Sequence, residues 1–204
     1  AAMKGASQNR PTPRRQPASH GAGKPPALRI RTARLTIRPF RPSDKPVIAA
    51  MLADPQERRF LETGGRRLSP DRLAAKLVAD SRSGPSLPRW SLAILPRGKR
   101  RPIGGILLAP DETRSAEIGI WLSPAVRGQG LAREALSAVI RRAFASLPLR
   151  RVTGTCDAGH AAARRLLEAC GLRAAHRLTF DEGGRRQRRL VLVLDAAPPP
   201  DAPG

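Results

Sequence analysis

A glycine-rich turn between an apolar run and a long amphipathic segment is the part of the sequence best suited to bind a ligand. It reads Arg127, Gly128, Gln129 and Gly130, and Leu131 then opens a segment with helical periodicity. Glycines at such a turn let the backbone approach a ligand closely, and the first N–H groups of a helix have no intrahelical partner. Those groups bind anions, above all phosphates. The turn therefore predicts a phosphate-binding site.

Two common phosphate-binding motifs do not fit these residues. A nucleoside-triphosphate loop requires Lys-Ser/Thr after its last glycine, where this chain has Leu131 and Ala132. A dinucleotide fingerprint requires glycine or alanine where Arg133 stands and an acid about 20 residues further on, where the chain has Arg150 and Arg151. What remains is an Arg-x-x-Gly-x-Ala motif between a strand and a helix.

Hydrophobic periodicity predicts the elements that hold this turn. Strands are expected over residues 34–40, 90–95, 103–108, 116–122, 149–156, 172–180 and 188–194. Four helices are expected, the first two with Ser43 and Ser69 as N-caps and the others beginning at Leu131 and Ala161. The buried stripe of the third helix is expected to consist of Leu131, Ala135, Leu136, Val139, Ile140 and Ala143. The strand, helix, strand order over 116–156 predicts that the fourth and fifth strands are parallel, with the glycine turn at the carboxyl end of the fourth.

The turn and its surroundings resemble the GNAT superfamily of N-acetyltransferases. Arg127, Gly130 and Ala132 fit the family's Q/R-x-x-G-x-G/A signature. Four further segments are similar to elements of the family: its first strand, third strand, fourth strand and last core helix. In that order they are RLTIRPFRPSD (34–44), PIGGILL (102–108), EIGIWL (117–122) and HAAARRLLEACGL (160–172). The resemblance covers residues 28–194 and is closest to the ribosomal-protein alanine N-acetyltransferases (RimJ/RimL-like). It implies a single α/β (α+β) domain with about seven strands in a mixed sheet and four helices, in which strands four and five are splayed.

The resemblance also implies a reaction. The expected enzyme transfers an acetyl group from acetyl-coenzyme A (acetyl-CoA), its co-substrate, to a primary amine by direct attack, and the expected acceptor is a protein N-terminal amine. A small-molecule amine is the alternative acceptor, and a basic RNA-binding module without catalysis is the alternative from another class. No metal is expected, because the two cysteines and three histidines do not have the spacing of metal ligands.

Each requirement of this reaction has candidate residues. The main-chain amides expected to bind the diphosphate of acetyl-CoA belong to Gly128, Gln129, Gly130, Leu131 and Ala132, with charge added by Arg127 and Arg133. The N–H of Leu122 is expected to polarise the thioester carbonyl, in the manner of an oxyanion hole. Glu117 is expected to be the general base, and an edge glutamate that faces solvent or pairs with an arginine is the alternative. His160 stands where relatives have a cofactor-contacting asparagine, so it is expected to bind the pantetheine arm or supply a proton; a purely structural place at the helix N-terminus is the alternative. Leu167 stands where many relatives have a tyrosine acid, and the chain contains no tyrosine.

Composition sets the remaining expectations. At 204 residues the chain suits one domain, residues 28–195, between a disordered basic tail (1–27) and a proline-rich tail (196–204). The net charge of +22 is spread along the chain and predicts weak electrostatic association with RNA or the ribosome. Without an apolar run of about 20 residues or a secretory signal, the protein is expected to be cytoplasmic and to have no membrane partner. Either a monomer or a homodimer is compatible with the sequence. Cys156 and Cys170 are expected to be buried free thiols, and residues 58–62 to form part of the substrate wall.

Overall fold

A mixed eight-stranded sheet runs through the molecule, and the computed structural model describes the chain over residues 28–54, 68–81, 89–182 and 185–197. The strands are β1 (Ile30–Arg31), β2 (Leu35–Pro39), β3 (Trp90–Pro96), β4 (Gly104–Pro110), β5 (Ser115–Leu122), β6 (Arg151–Asp157), β7 (Arg173–Glu182) and β8 (Arg185–Asp195). Their order in the sheet is β1-β2-β3-β4-β5-β6-β8-β7. Of the strand pairs in this described sheet, β5 and β6 run parallel and the others run antiparallel.

Four α-helices lie in the described part of the chain: α1 (Lys45–Met51), α2 (Pro70–Asp80), α3 (Leu131–Ser146) and α4 (Ala161–Ala169). The fold class and the parallel central pair are therefore as predicted. The expected number of about seven strands is too low by one, because β1 was not expected. A two-residue strand is too short for its alternation to be visible in a sequence.

The two faces of the sheet carry different pairs of helices. α3 and α4 contribute to the larger core cluster, and all six residues of the stripe predicted for α3 are buried in it. α1 and α2 pack on the opposite face, around Phe40, Ala93, Leu95 and Trp121. This second cluster draws its strand residues from the β2 to β5 half of the sheet. No described residue in the β6, β8 and β7 half of that face belongs to it.

The parallel pairing of β5 and β6 is short. Ser115 pairs with Arg151, Ala116 with Val152, and Glu117 with Thr153, and the paired register ends there. β5 nevertheless continues to Leu122 and β6 to Asp157. The outer halves of the two strands therefore part and leave a gap that opens toward their carboxyl ends, as the splayed arrangement predicts.

Of the two helices on the second face, α2 has its predicted N-cap and α1 does not. Ser69 caps α2 as expected, accepting a hydrogen bond from the N–H of Arg72 (3.3 Å). At α1, however, Ser43 lies inside a short 3-10 turn, and Asp44 is the N-cap. The buried carboxylate of Asp44 accepts hydrogen bonds from both terminal nitrogens of Arg38 (2.7 and 3.0 Å). This pairing joins the end of β2 to the residue before α1, six positions away, and the preference of serine for N-cap positions does not reveal it.

Several expectations fall on residues that the structure does not describe. The basic tail (1–27), the linker with residues 58–62 and the last seven residues (198–204) lie outside the described residues. The domain boundaries stay predictions, although β8 does end at Asp195. None of the helices described here is both long and apolar enough to cross a membrane.

Gly104 tests how tightly β4 and β5 pack. A Cβ at this position would overlap the carbonyl oxygen of Trp121 and lie 2.7 Å from the Cδ2 of Leu122, and backbone atoms cannot move aside as a side-chain end can. We expect Gly104→Ala to lower the free energy of unfolding by about 1–3 kcal/mol, measured by urea denaturation. Gly119→Ala, on the neighbouring strand with nothing within 4 Å of its added Cβ, is the matched control. Equal losses in the two variants would contradict this packing.

Candidate active site

The glycine-rich turn presents main-chain N–H groups at the start of α3. Gly128 and Gly130 have φ values of +76° and +74°, which other residues rarely adopt, and Gly130 is the N-cap of the helix. The first helical hydrogen bond runs from the N–H of Glu134 to the carbonyl of Gly130 (3.1 Å). The N–H groups of Leu131, Ala132 and Arg133 precede that bond and have no carbonyl one turn earlier to donate to. A Cβ added at Gly128 would have no atom within 4 Å, so the space before the turn is open.

Leu122, the last residue of β5, directs its main chain into the gap between β5 and β6. The N–H of the next residue, Ser123, donates to the carbonyl of Ile103 on the β4 side (2.8 Å). Because main-chain groups alternate along a strand, the groups of Leu122 point to the other side, toward the gap. Its carbonyl accepts hydrogen bonds there from the Nε (3.0 Å) and Nη2 (2.9 Å) of Arg127. The N–H of Leu122 points the same way, where the predicted oxyanion contact requires it.

The two cations expected beside the turn differ in their surroundings. The guanidinium of Arg127 is turned back onto the end of β5. It therefore connects the turn to the strand by hydrogen bonds and also places a positive charge beside the turn. Arg133 lies exposed in the first turn of α3. Both keep a positive charge at the helix N-terminus, where the helix dipole also favours an anion.

A third cation, which the sequence analysis missed, also reaches this turn. Arg34 precedes β2, and its Nη1 donates to the carbonyl of Gln129 (2.9 Å). Its Nε donates to one carboxylate oxygen of Glu134 (2.6 Å), and its main-chain N–H donates to the other (2.8 Å). The hydroxyl of Thr32 donates to that second oxygen as well. Desolvation raises the pKa of Glu134, but these hydrogen bonds and the charge of Arg34 outweigh it, so the pKa lies below its ordinary value.

Glu117 lies on the face of the sheet opposite α3, at the point where β5 and β6 part. Its side chain is exposed, and Gly119, which shares this face, leaves open space beside it. The register places Thr153 next to Glu117, and Thr155 and Asp157 follow on the same face of β6. The sequence alone does not indicate these three residues, because only the register shows that they share a face with Glu117.

His160 caps α4 at the same edge of the sheet. Its Nδ1 accepts a hydrogen bond from the N–H of Ala163 (3.1 Å), which leaves Nε2 as the ring nitrogen that carries the proton. The structural role that the sequence allowed for His160 is thus present, and a donor role for Nε2 is compatible with it. Leu167 is buried beneath β6, where a Cβ on Gly154 would lie 2.7 Å from its Cδ2.

Other features of the surface lie away from this edge. A cavity of about 660 Å³ lies between α3 and the end of β8, lined by Ile140, Phe144 and Leu194 among others, and one of about 690 Å³ lies at the opposite end of β5. Cys156 is buried and Cys170 half-buried; burial raises the pKa of both thiols, which disfavours the reactive thiolate. Within the described ranges, no three His, Cys, Asp or Glu side chains are grouped as metal ligands.

The sequence profile of the family described as "Acetyltransferase (GNAT) domain" matches residues 34–173, more than half of the chain. The chain therefore belongs to the GNAT acetyltransferases, which are acyltransferases that use acetyl-CoA.

Solved structures show the same fold. A GNAT-family acetyltransferase from Bacillus anthracis is similar with a TM-score of 0.70 and 19% identity, over 82% of this chain and 98% of that one. Mycobacterium smegmatis RimJ in complex with CoA-disulfide gives 0.66 and 21%, over 83% and 87%. RimL, a ribosomal L7/L12 alpha-N-protein acetyltransferase, gives 0.67 and 14%, over 83% and 95%.

Gly130 tests the phosphate-binding turn. Because its φ is positive, we expect Gly130→Ala to strain the turn by about 1–2 kcal/mol and to turn its N–H groups away from a ligand. The dissociation constant for acetyl-CoA, measured by calorimetry, should rise about tenfold or more. Gly98→Ala carries the same strain at φ +77° in the β3–β4 turn and should leave that constant unchanged. Equal affinities in the two variants would exclude a role of the turn in binding.

Glu134 makes stability depend on pH in a defined direction. Because its pKa is lowered by folding, its contribution is complete above the ordinary glutamate pKa of about 4.3 and is lost as the pH falls through the lower folded value. We therefore expect Glu134→Gln to destabilise the protein at pH 7 and to differ little from the parent near the acid limit of folding. Urea denaturation at several pH values measures this. Glu112→Gln, at an exposed position between β4 and β5, should show no such convergence.

Proposed function

We propose that this chain transfers the acetyl group of acetyl-CoA to a primary amine, the N-terminal amine of a polypeptide, by direct attack. The observation that supports this most directly is the gap between β5 and β6. On one face of the sheet the gap opens at the N-terminus of α3, and on the other it opens beside Glu117. A thioester held in the gap can therefore be approached by an amine from the side opposite its phosphates.

The turn fits the diphosphate of acetyl-CoA. The amides of Gly128 to Ala132 and the charges of Arg127 and Arg133 supply donors and positive potential without a side chain in the way. By the same alternation that directs Leu122, the main-chain groups of Ile120 also face the gap. An extended pantetheine arm with its amide groups suits such an unpaired strand edge. The Nε2 of His160 is a donor at the same edge.

The proposed reaction needs few groups from the protein. Glu117 takes a proton from the incoming ammonium group, directly or through water, and the freed nitrogen attacks the thioester carbonyl carbon. A C–N bond forms, and the N–H of Leu122 stabilises the negative charge that develops on the carbonyl oxygen. The C–S bond then breaks, the sulfur leaves with its electron pair, and it receives a proton from water, while Nε2 of His160 can donate a hydrogen bond to it. The acceptor nitrogen loses its second proton to solvent.

The shape of the face around Glu117 supports a polypeptide acceptor. Thr153, Thr155 and Asp157 are half-buried on this face, and His176 on β7 is exposed. The described parts of α1 and α2 form their core with the other half of the sheet, and no described helix covers the strands beside Glu117. A polypeptide end fits an open surface better than a small amine does, since a small ligand is usually enclosed. The similarity to RimL, described as a ribosomal L7/L12 alpha-N-protein acetyltransferase, is a second reason to propose this acceptor.

An RNA-binding module is less well supported. Single-stranded RNA is usually recognised by aromatic rings on which bases stack. In the described part of β7 and β8 the aromatic ring is that of Phe180, and the guanidinium of Arg189 already lies over it, 5.1 Å from its centroid. This ring is therefore not presented as a stacking platform.

Replacing Glu117 tests the proposed chemistry. We expect Glu117→Gln to lower kcat for a peptide with a free N-terminal amine by about 10²–10⁴-fold, because a neutral amide cannot take the proton. The KM for acetyl-CoA should be almost unchanged, since the side chain lies on the other face of the sheet. Rates are measured as thiol release across a range of pH.

Two controls accompany this measurement. Glu112→Gln removes an exposed carboxylate at the far end of β5 and should keep the parent rate. The same peptide with a blocked N-terminus should give no turnover, and turnover of small amines alone would assign a different acceptor. An unchanged rate and pH profile in Glu117→Gln would remove Glu117 from the mechanism.

A further inference from the structure

The hydrogen bonds of Arg34 connect the start of the sheet to the turn that precedes α3. Its guanidinium contacts two groups at once: Nη1 donates to the carbonyl of Gln129 (2.9 Å) and Nε to the carboxylate of Glu134 (2.6 Å). These contacts join residues that are about 100 positions apart in the sequence. The side chain is still half exposed (51%), so the fork of Arg34 lies at the surface beside the turn.

The contact with Gln129 fixes the direction of an amide in the turn. The peptide bond between Gln129 and Gly130 is trans, like the others in the described chain. In a planar trans peptide the C=O and N–H groups point in opposite directions. Because Arg34 holds the carbonyl of Gln129, the N–H of Gly130 points away from Arg34. The guanidinium of Arg34 therefore directs the N–H of Gly130 to the opposite side of the turn.

The contact with Glu134 offsets a negative charge that would repel an anionic ligand at the turn. A carboxylate in the first turn of a helix is favourable for the helix itself, because it interacts with the positive end of the dipole. The same carboxylate repels an anionic ligand bound at that end. The side chain of Glu134 is only 18% exposed, so solvent screens its charge poorly. Arg34 at 2.6 Å offsets this charge where a diphosphate would otherwise meet it.

We propose that Arg34 is a positioning residue of the phosphate-binding turn, one that acts through Gln129 and Glu134. It orients the amide of Gly130 and neutralises the charge of Glu134, so that the turn attracts the diphosphate of acetyl-CoA. This inference rests on the proposed function, since it assumes that acetyl-CoA binds at this turn. A direct phosphate contact by Arg34 is the competing explanation, because its Nη2 lies 3.5 Å from where a Cβ of Gly130 would be.

The first experiment uses two acetyl donors. S-acetylpantetheine carries the thioester arm without the diphosphate, so a change in the turn should not affect it. We expect Arg34→Gln to raise the KM for acetyl-CoA about 10–100-fold, the effect of a lost charge-assisted hydrogen bond, while kcat and the kcat/KM for S-acetylpantetheine change less than about twofold. Equal losses with both donors would indicate general damage and overturn the proposal.

The second experiment separates the indirect from the direct mechanism by a double-mutant cycle. If Arg34 offsets the charge of Glu134, then Glu134→Gln should strengthen acetyl-CoA binding at least about fivefold more in the Arg34→Gln background than in the parent. The same effect of Glu134→Gln in both backgrounds, or weaker binding caused by Glu134→Gln in the Arg34→Gln background, overturns the proposal. Calorimetric dissociation constants at fixed ionic strength give the coupling.

Three controls make the outcome decisive. Arg31→Gln removes the same charge from an exposed position three residues away and should keep the parent affinity. Arg34→Lys retains the charge but cannot contact both partners with a rigid fork, so it should recover only part of the affinity and is available if Arg34→Gln does not fold. If the parent protein itself does not bind acetyl-CoA, the proposed function fails. If the parent binds and the Arg34 variants bind equally well, only this inference fails.

Discussion

The early end of the pairing between β5 and β6 is the constraint on which the rest of the site depends. Main-chain groups inside a protein need hydrogen-bond partners, so a parallel pair that stops after Glu117 leaves the edge of β5 without its usual partner strand. The structure supplies part of the compensation itself, because Arg127 donates twice to the carbonyl of Leu122. The remaining N–H groups are available to a ligand that enters as a strand does. In the gap, β5 therefore lacks a hydrogen-bonding partner strand, and an extended thioester arm can take that strand's place.

The parallel direction of β5 and β6 also decides where everything else lies. A parallel connection requires a crossover, and α3 provides it, so the N-terminus of α3 must lie at the carboxyl edge of β5. The crossover after β6 leads into α4 at the same edge, which brings His160 near the turn. The glycine turn, the gap and the start of α4 thus share one edge because of topology. Glu117 lies on the opposite face of the sheet because side chains alternate along β5.

Those parts of the site that follow from local rules were visible in the sequence. The glycine turn before α3, the stripe of α3 and the parallel pair all follow from glycine chemistry, periodicity and element order. The missed parts depend on contacts between distant segments. Nothing near Arg34 in the sequence indicates that it reaches Glu134, and nothing in the order of the strands indicates that β8 lies between β6 and β7. The pairing of Asp44 with Arg38 is different, because the two residues are only six positions apart; it was missed because cap preferences and strand periodicity do not include such a side-chain pair.

The proposed reaction has no strong acid to protonate the leaving sulfur. The structure and the chemistry of the thiolate explain why a weak proton donor is sufficient. Leu167, where the family resemblance implies an acid, has a buried aliphatic side chain that lies against Gly154 and cannot donate a proton. A thiol has a pKa of about 8.5, so its thiolate is a tolerable leaving group near neutral pH and water can protonate it afterwards. The amine is the harder problem, because it arrives as an ammonium ion and cannot attack before it loses a proton. It follows that a chain of this fold can dispense with a built-in acid more easily than with a base, which is consistent with a carboxylate kept on the open face of β5 and an aliphatic side chain kept beneath β6.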